Sequence, residues 1–492
     1  MTRMNLSPWL AIGLITLLGG CATRPVNPPI TQANPSFGYR FEARQERARE
    51  AGKDALVVLA FSGGGTRAAA FSYGVLEVLR RTEVVDANGR TVRLLDQVDL
   101  ITGVSGGSFT ALAYGLYGDK LFDDYETRFL KRNVQGEILA RTLNPFNWGR
   151  LSSTGWGRSE LAAELYDEIL FNGATYADLK RGGGPMIVAA TTDLSTGARF
   201  AFNQAFFDVI CSDLDAVRLS RAAAASSAVP VVLSAVTLNN YGGTCNMKLP
   251  AWALPFVEAP EPPRPAARAT RTLKSTMAYA DGVNRPFLHL VDGGVSDNIG
   301  MRGVLDVMEV LEALRESGVP TSLDRLRRIV VIVVNSVSEP RTDWDRSEQS
   351  PGMVETLLKA TGTPIDRNSF ETVEQLRDTA ARWRTFRKIS ESAAMKSNTD
   401  PAVARAVRAP DAEVYAIDVS FAELKDRAEF EYLNQQPTSF VLPPEAVDRL
   451  RAAAGTIILA SPEFQRLLKD VGANVVADPK QSGTEPKAPA AR

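Results

Sequence analysis

The apolar run Val98–Val104 ends in Gly103-Val104-Ser105-Gly106-Gly107, a serine with glycines two positions before and two after. G-x-S-x-G is the spacing of a sharp strand-to-helix turn that presents a serine hydroxyl for attack on a carbonyl. A hydroxyl is a weak nucleophile until a base takes its proton. The usual base is histidine, and the 492-residue sequence holds one, His289, in FLHLVDGG at 287–294. His289 lies three positions before Asp292. An odd separation on a regular strand sends two side chains to opposite faces, so the two cannot aim at one serine. No histidine follows Asp292, so the Ser–acid–His order of the α/β-hydrolases fails. A lysine base is poorly supported, because Ser105-Gly106-Gly107-Ser108 is not S-x-x-K. A carboxylate remains. Asp292 ends an apolar strand and precedes Gly293-Gly294, and burial there would raise its pKa and improve it as a proton acceptor. Asp281-Gly282 is the alternative acid, without the second glycine or the apolar strand. The expectation is a Ser105–Asp292 dyad, with His289 structural.

A second glycine run, FSGGGTRAAAF at 61–71, follows a strand and opens a helix, where free N–H groups favour negative charge. Gly63-x-Gly65-x-x-Ala68 loosely fits a dinucleotide fingerprint. The acid that fingerprint needs could only be Glu83 or Asp86, in a stretch that reads as a loop. Alternatively, the amides of Gly63, Gly64 and Gly65 form an oxyanion hole. A tight turn with nothing bound is the third option. No Gly-Lys-Ser/Thr follows, which excludes a Walker phosphate loop.

The elements that must position these residues alternate. ALVVLAF (55–61) reads as a buried strand, 66–81 as a helix, 98–104 as a strand and SFTALAYGLYG as a helix. Residues 185–203 read as two strands around Ser195-Thr196-Gly197, and 214–228 as a helix stopped before Pro230. Further strands are expected at 287–291, 327–335 and 412–420, with a helix after Asn298. This is the rhythm of an α/β fold with a parallel sheet under covering helices. Two segments stand apart as insertions, 143–160 and about 340–400. In the second, Phe370, Val373, Leu376, Ala380, Trp383 and Phe386 recur near helical spacing. Packing on the core is the favoured expectation for both, and a lid or lipid-touching surface the sharper alternative.

Composition is that of a globular protein, 45% apolar and 23% charged, and the net charge of −1 gives no argument for nucleic acid. The N-terminus differs. Arg3 precedes WLAIGLITLLGG, too short for the roughly 20 residues of a membrane span and expected to be a secretory signal over 1–20. Residues 21–50 read as a Pro-rich tether and a short charged helix, and 478–492 as a disordered tail. Between them, 51–340 is expected to form the core, with 341–477 supplying a helical insertion and C-terminal elements. Cys211 and Cys245 lack zinc-site spacing, and an oxidising compartment would let them pair.

FSGGGTRAAAF, GVSGG, VRLSRAAAASSAVP and VDGGVSDN, in that order over 61–298, together resemble a bacterial patatin-like phospholipase. The resemblance implies a patatin-like three-layer sandwich with a mostly parallel sheet. It also implies a Ser105–Asp292 dyad, an oxyanion hole at Gly63, Gly64 and Gly65, and acyl-ester hydrolysis with no metal or cofactor. Arg67 falls at the position of a basic residue of the family, as a supporting group. Ser226 and Ser227 fall in a block near the family's active site and are given no catalytic role. Leu18-Gly19-Gly20-Cys21 resembles a lipoprotein signal, which implies lipidation at Cys21, and Ala22 after it favours the outer membrane, facing the periplasm. The partners so implied are a lipid substrate and a membrane. The rival expectations are a catalytically weak lipid-binding envelope lipoprotein on the same fold and a dinucleotide-dependent oxidoreductase.

Overall fold

The computed structural model describes residues 23–476 apart from 51, 87, 154, 231, 262–263, 341, 398, 401–402 and 404–409. The expected signal segment, Cys21 and the tail from 478 lie outside the described residues.

Short runs of Val, Ile and Leu between turn residues form β1 (Ala55–Phe61), β2 (Leu100–Val104), β3 (Met186–Asp193), β4 (Arg199–Phe202), β5 (Val236–Asn239), β6 (Phe287–Asp292), β7 (Arg328–Asn335) and β8 (Glu413–Ser420). They make one sheet in the order β8-β7-β1-β2-β3-β6-β5, with β4 paired to β3. The strands from β8 to β3 run parallel. The pairings of β4, β6 and β5 are antiparallel.

Alternation along each strand divides the core in two. Val57, Leu59 and Phe61 of β1 face one side, with Phe71 and Leu76 of α1 (Gly65–Arg81), Phe109 of α2 (Gly106–Tyr117) and Leu450 of the C-terminal helix Pro444–Ala460. Val58 and Ala60 face the other side, with Leu305 and Met308 of the helix Arg302–Glu316 and Leu376 and Trp383 of the helix Met353–Glu391. The result is the expected three-layer α/β sandwich. Among the described residues no helix is long and apolar enough to cross a membrane.

Two local expectations change. Residues 82–85 are a strand paired with 91–93, and Asp86 closes their turn by accepting from Arg90 N at 2.9 Å. The acids that a dinucleotide fingerprint would need are therefore committed to a hairpin. The tether is docked rather than loose: Asn27 donates to Ser212 Oγ at 2.8 Å and accepts from Asn239 N at 2.8 Å. The strand expected at 412–420 is present as β8, which pairs along its length with β7. Cys211 and Cys245 are joined by a disulfide.

Candidate active site

Three strand ends converge. Val104 is opposite Ala190 on one side of β3, and Asp292 is opposite Thr191 on the other. The serine that follows β2 and the aspartate that ends β6 thus arrive at one level, with one strand between them. Phe61 is opposite Gly103, which places the glycine run beside the same turn.

Ser105 has φ 48° and ψ −121°, a backbone conformation that is costly for any residue with a Cβ. The turn is held by its neighbours. Ser108 N and Oγ both donate to Ser105 O, at 3.0 Å and 2.6 Å. Ser105 N donates to Ser226 Oγ at 3.0 Å, and Ser226 Oγ donates in turn to Ala190 O at 2.7 Å. Ser226 also holds the other side of the site, since its carbonyl accepts from Gly293 N at 3.2 Å, while Ala228 O accepts from Asp292 N at 3.0 Å. The end of the short helix Leu219–Ser226 thus binds the backbones of serine and aspartate together.

Asp292 is buried and its pKa is pushed up to about 6, because loss of hydration outweighs hydrogen bonds from Gly294 N–H and the Ser105 hydroxyl. Gly294 N donates to Asp292 Oδ1 at 2.7 Å. Among the described residues no donor meets Oδ2 at full hydrogen-bond geometry, although the Ser105 hydroxyl is its neighbour at the carboxyl. Loose contact of this kind is common in unliganded sites and tightens when substrate binds.

The glycine loop faces this pair. Gly63 N–H is committed to Asn298 O at 2.9 Å, and Thr66 N–H to Ser439 O at 2.8 Å. Between them Gly64 and Gly65 have φ of 140° and 60°, conformations that favour glycine. Gly106 lies against Gly65 so closely that a Cβ on it would strike the Gly65 carbonyl, which brings the loop onto the residue after the nucleophile. Ser336 Oγ donates to Gly63 O at 3.1 Å and ties the loop back. Arg67 is buried behind it, donating to Ser336 O at 2.8 Å, Gln436 O at 2.6 Å and Thr438 Oγ1 at 3.1 Å. Burial lowers its pKa to about 10, with Asp366 opposing the shift.

Other candidates lie elsewhere. His289 is exposed on β6 and hydrogen-bonded through Nδ1 to Thr237 Oγ1 at 3.0 Å. Asp281 is exposed, and bonds from Asn284 hold its pKa below the usual value. Ser227 Oγ donates back to Ala223 O at 2.8 Å, within the helix that it caps. A cleft of about 770 Å³, lined by Lys53, Asp99 and Arg328, opens at the opposite ends of the parallel strands and is no part of this site. No metal-binding cluster occurs among the described residues. Sequence reasoning placed Ser226 near the site, in VRLSRAAAASSAVP, without a role, and missed Ser336 and Ser439; all three act through contacts between distant segments.

No curated protein matches the chain by sequence. Human GIVD cytosolic phospholipase A2 is similar in structure, with 12% identity and a TM-score of 0.38, covering 92% of this chain and 66% of that one, just under two thirds. VipD from Legionella pneumophila gives 11% identity and a TM-score of 0.23, covering 95% of this chain and 78% of the other. At these scores the assignment rests on the family model for patatin-like phospholipase, which matches residues 59–305, half of the chain and all three converging segments. The chain belongs to the patatin-like phospholipase family, a family of lipid hydrolases.

Proposed function

We propose that the protein hydrolyses acyl esters of lipids through a Ser105–Asp292 dyad. The observation that carries this is a buried carboxyl with a pKa raised to about 6, beside a serine on a strained turn. As the Ser105 hydroxyl attacks the ester carbonyl, its proton passes to Asp292. The tetrahedral oxyanion takes hydrogen bonds from the loop, and because Gly63 N–H is committed to Asn298 O, the proposed donors narrow to Gly64 and Gly65. Such a donor contributes about 3–4 kcal/mol to the transition state. Collapse expels the alcohol or lysophospholipid, which receives the proton from Asp292. Water, deprotonated by Asp292, then attacks the acyl-serine, and the fatty acid leaves as Ser105 Oγ takes the proton back from Asp292. Arg67 and Ser226 are positioning residues in this scheme, one behind the loop and one between the two backbones.

Acylation at Cys21 is proposed as the means of holding the enzyme at an envelope membrane, with the outer membrane as its place. The disulfide between Cys211 and Cys245 supports an oxidising compartment. The decisive test is hydrolysis of a short acyl ester and labelling by a serine-reactive fluorophosphonate. Wild type should turn over and be labelled at Ser105. Ser105→Ala should do neither, and Asp292→Asn should lose turnover while remaining folded. An unlabelled wild-type serine would instead favour a fold kept for lipid binding.

A further inference from the structure

The start of the insertion 143–160, together with the helix before it, turns part of its apolar surface outward, while Val134 and Trp156 are buried. The two form a helical hairpin, α3 (Val134–Leu143) and α4 (Pro145–Leu151). Leu139 is 56% exposed, Leu143 62%, Phe146 93% and Trp148 56%. No charged residue is among the exposed positions of 135–152. The charges of the hairpin are turned back onto the body of the protein. Glu137 pairs with Arg132, Arg141 with Glu168 and Arg150 with Glu164. Other exposed apolar residues, such as Val283 and Met353, lie elsewhere in the chain, whereas four large ones fall together within ten residues here, and a clustered apolar edge marks a surface that leaves water in use.

Its position relative to the catalytic centre is fixed at both ends. At the start, Gln135 N donates to Phe440 O at 3.2 Å and Gln135 Oε1 accepts from Ser439 Oγ at 3.0 Å. Ser439 is the residue whose carbonyl holds Thr66 N of the glycine loop. Past the end, Ser159 N donates to Ser234 Oγ at 3.0 Å, a few residues after the Ala228 carbonyl that holds Asp292 N. The hairpin thus bridges the two segments that fix the loop and the aspartate. The N-terminal chain passes close to the segment that follows the hairpin, since a Cβ on Gly155 would lie 3.8 Å from Arg24 N. Cys21 is three residues further on, at most about 11 Å of extended chain. An acyl group on Cys21 would be tethered within that reach of Arg24.

We infer that the edge formed by Leu139, Leu143, Phe146 and Trp148 is a lipid-docking surface, seated at the boundary between headgroups and acyl chains. Uncharged aromatic and leucine side chains suit that boundary. Among the described residues of the hairpin Arg141 and Arg150 are each paired with a carboxylate, so the attraction is apolar burial and not attraction to anionic headgroups. Docking here would set the glycine loop and Asp292 against the lipid surface. The inference rests on the proposed lipid hydrolysis, and its test does not depend on turnover.

The full chain carrying Ser105→Ala is mixed with phosphatidylcholine vesicles whose acyl chains are brominated, so that no lipid is consumed. The emission owed to Trp148 is the difference between this chain and the same chain with Trp148→Phe. Bromine in the acyl region should quench about half of that emission or more, because an interfacial Trp sits at the acyl boundary. Quenching should persist in about 1 M salt, where charge attraction is screened within roughly 3 Å. Adding Phe146→Ser should reduce it several-fold, and Leu139→Ser with Leu143→Ser should do the same with Phe146 intact. Absent quenching, or quenching removed by salt, overturns the inference. So does a Trp148 emission that shifts with protein concentration in the absence of lipid, which would assign the edge to a second copy of the chain. If quenching is seen while wild type fails to hydrolyse lipid, the docking surface stands and the catalytic proposal falls.

Discussion

The hairpin α3–α4 and the helix Met353–Glu391 both reach the catalytic centre from its rim, and both carry apolar residues at helical spacing. The long helix touches the centre where Asn298 Nδ2 meets Ser369 Oγ at 3.5 Å, and it sends Val373, Leu376, Ala380 and Trp383 into the second core cluster. The hairpin touches the centre through Gln135 and sends Leu143, Phe146 and Trp148 into solvent. Periodicity in a sequence reports that a face exists. What lies opposite the face is decided by tertiary structure: the long helix crosses the sheet, whose strands offer Val331 and Val414, whereas the hairpin leaves the body at a rim. Core packing, the favoured expectation for both insertions, holds for Val373, Leu376, Ala380 and Trp383 of the long helix, is partial for the half-buried Phe386 and fails for Phe370, which is 67% exposed.

The contrast is sharpest in stability. Trp383 is 1% exposed and its indole donates to Glu312 Oε1 at 3.3 Å. Trp383→Ala should cost about 3–5 kcal/mol, the range for removing a large buried aromatic. Denaturant unfolding measures it, and a loss below about 1 kcal/mol would mean that the helix is not part of the core.

Between the two insertions lies a region of a third kind, where burial opposes stability. The Asp292 pKa is raised from 3.8 to about 6, so from about pH 4 to 6 the folded state holds a proton that the unfolded state has released. This group's contribution therefore falls as pH rises through that window, and at pH 7 the buried charge costs about 3 kcal/mol. Asp292→Asn should abolish turnover and raise stability at pH 7 by up to about 3 kcal/mol, a gain that disappears near pH 4. In wild type, kcat/KM should fall as pH drops through about 6, because the protonated carboxyl cannot accept the Ser105 proton. A flat acid limb would remove Asp292 from the role of base.

How much of this was legible in the sequence depends on the range of the interaction. β1, the turn at Ser105 and the strand before Asp292 follow from local patterning and from glycines at fixed offsets, and the sequence-based bounds for β1 coincide with the structure. Asp292 was reached by elimination, since the one histidine could not serve. The supports were not legible. Ser226 lies 121 residues from Ser105, Ser336 lies 273 from Gly63, and Gln436 lies 369 from Arg67. Nothing local in those stretches announces the partner. The same reason hid the commitment of Gly63 N–H to Asn298 O, because only the approach of two distant segments takes that amide out of the loop.

Ser226 separates positioning from mere packing within the same comparison. Ser226→Ala removes the acceptor for Ser105 N and the donor to Ala190 O, with a stability cost of about 1–3 kcal/mol for the groups left unpaired. A packing role would stop there. A positioning role adds a fall in kcat on the order of 10- to 100-fold with KM little changed, since misplacing the nucleophile weakens attack and not binding. The fluorophosphonate labelling rate per folded molecule should fall in parallel. Unchanged labelling at normal folded fraction would reduce Ser226 to a core contact.

The smallest effect is expected where the apolar residues are largest. Phe146→Ser removes a ring that is 93% exposed and should change unfolding free energy by no more than about 0.5 kcal/mol, while Trp148→Ser, which removes a half-exposed ring, should cost about 1 kcal/mol. Set beside Trp383→Ala, this is the cleanest separation of the two insertions: similar residues removed, with costs several-fold apart. The turnover of a soluble short-chain ester should be unchanged as well, since neither ring touches Ser105 or Asp292. A loss above about 2 kcal/mol from either substitution would mean that the ring packs inward in solution, with a cost like that of a core truncation. The hairpin would then be a second core-facing insertion, and the edge would have no reason to seek lipid.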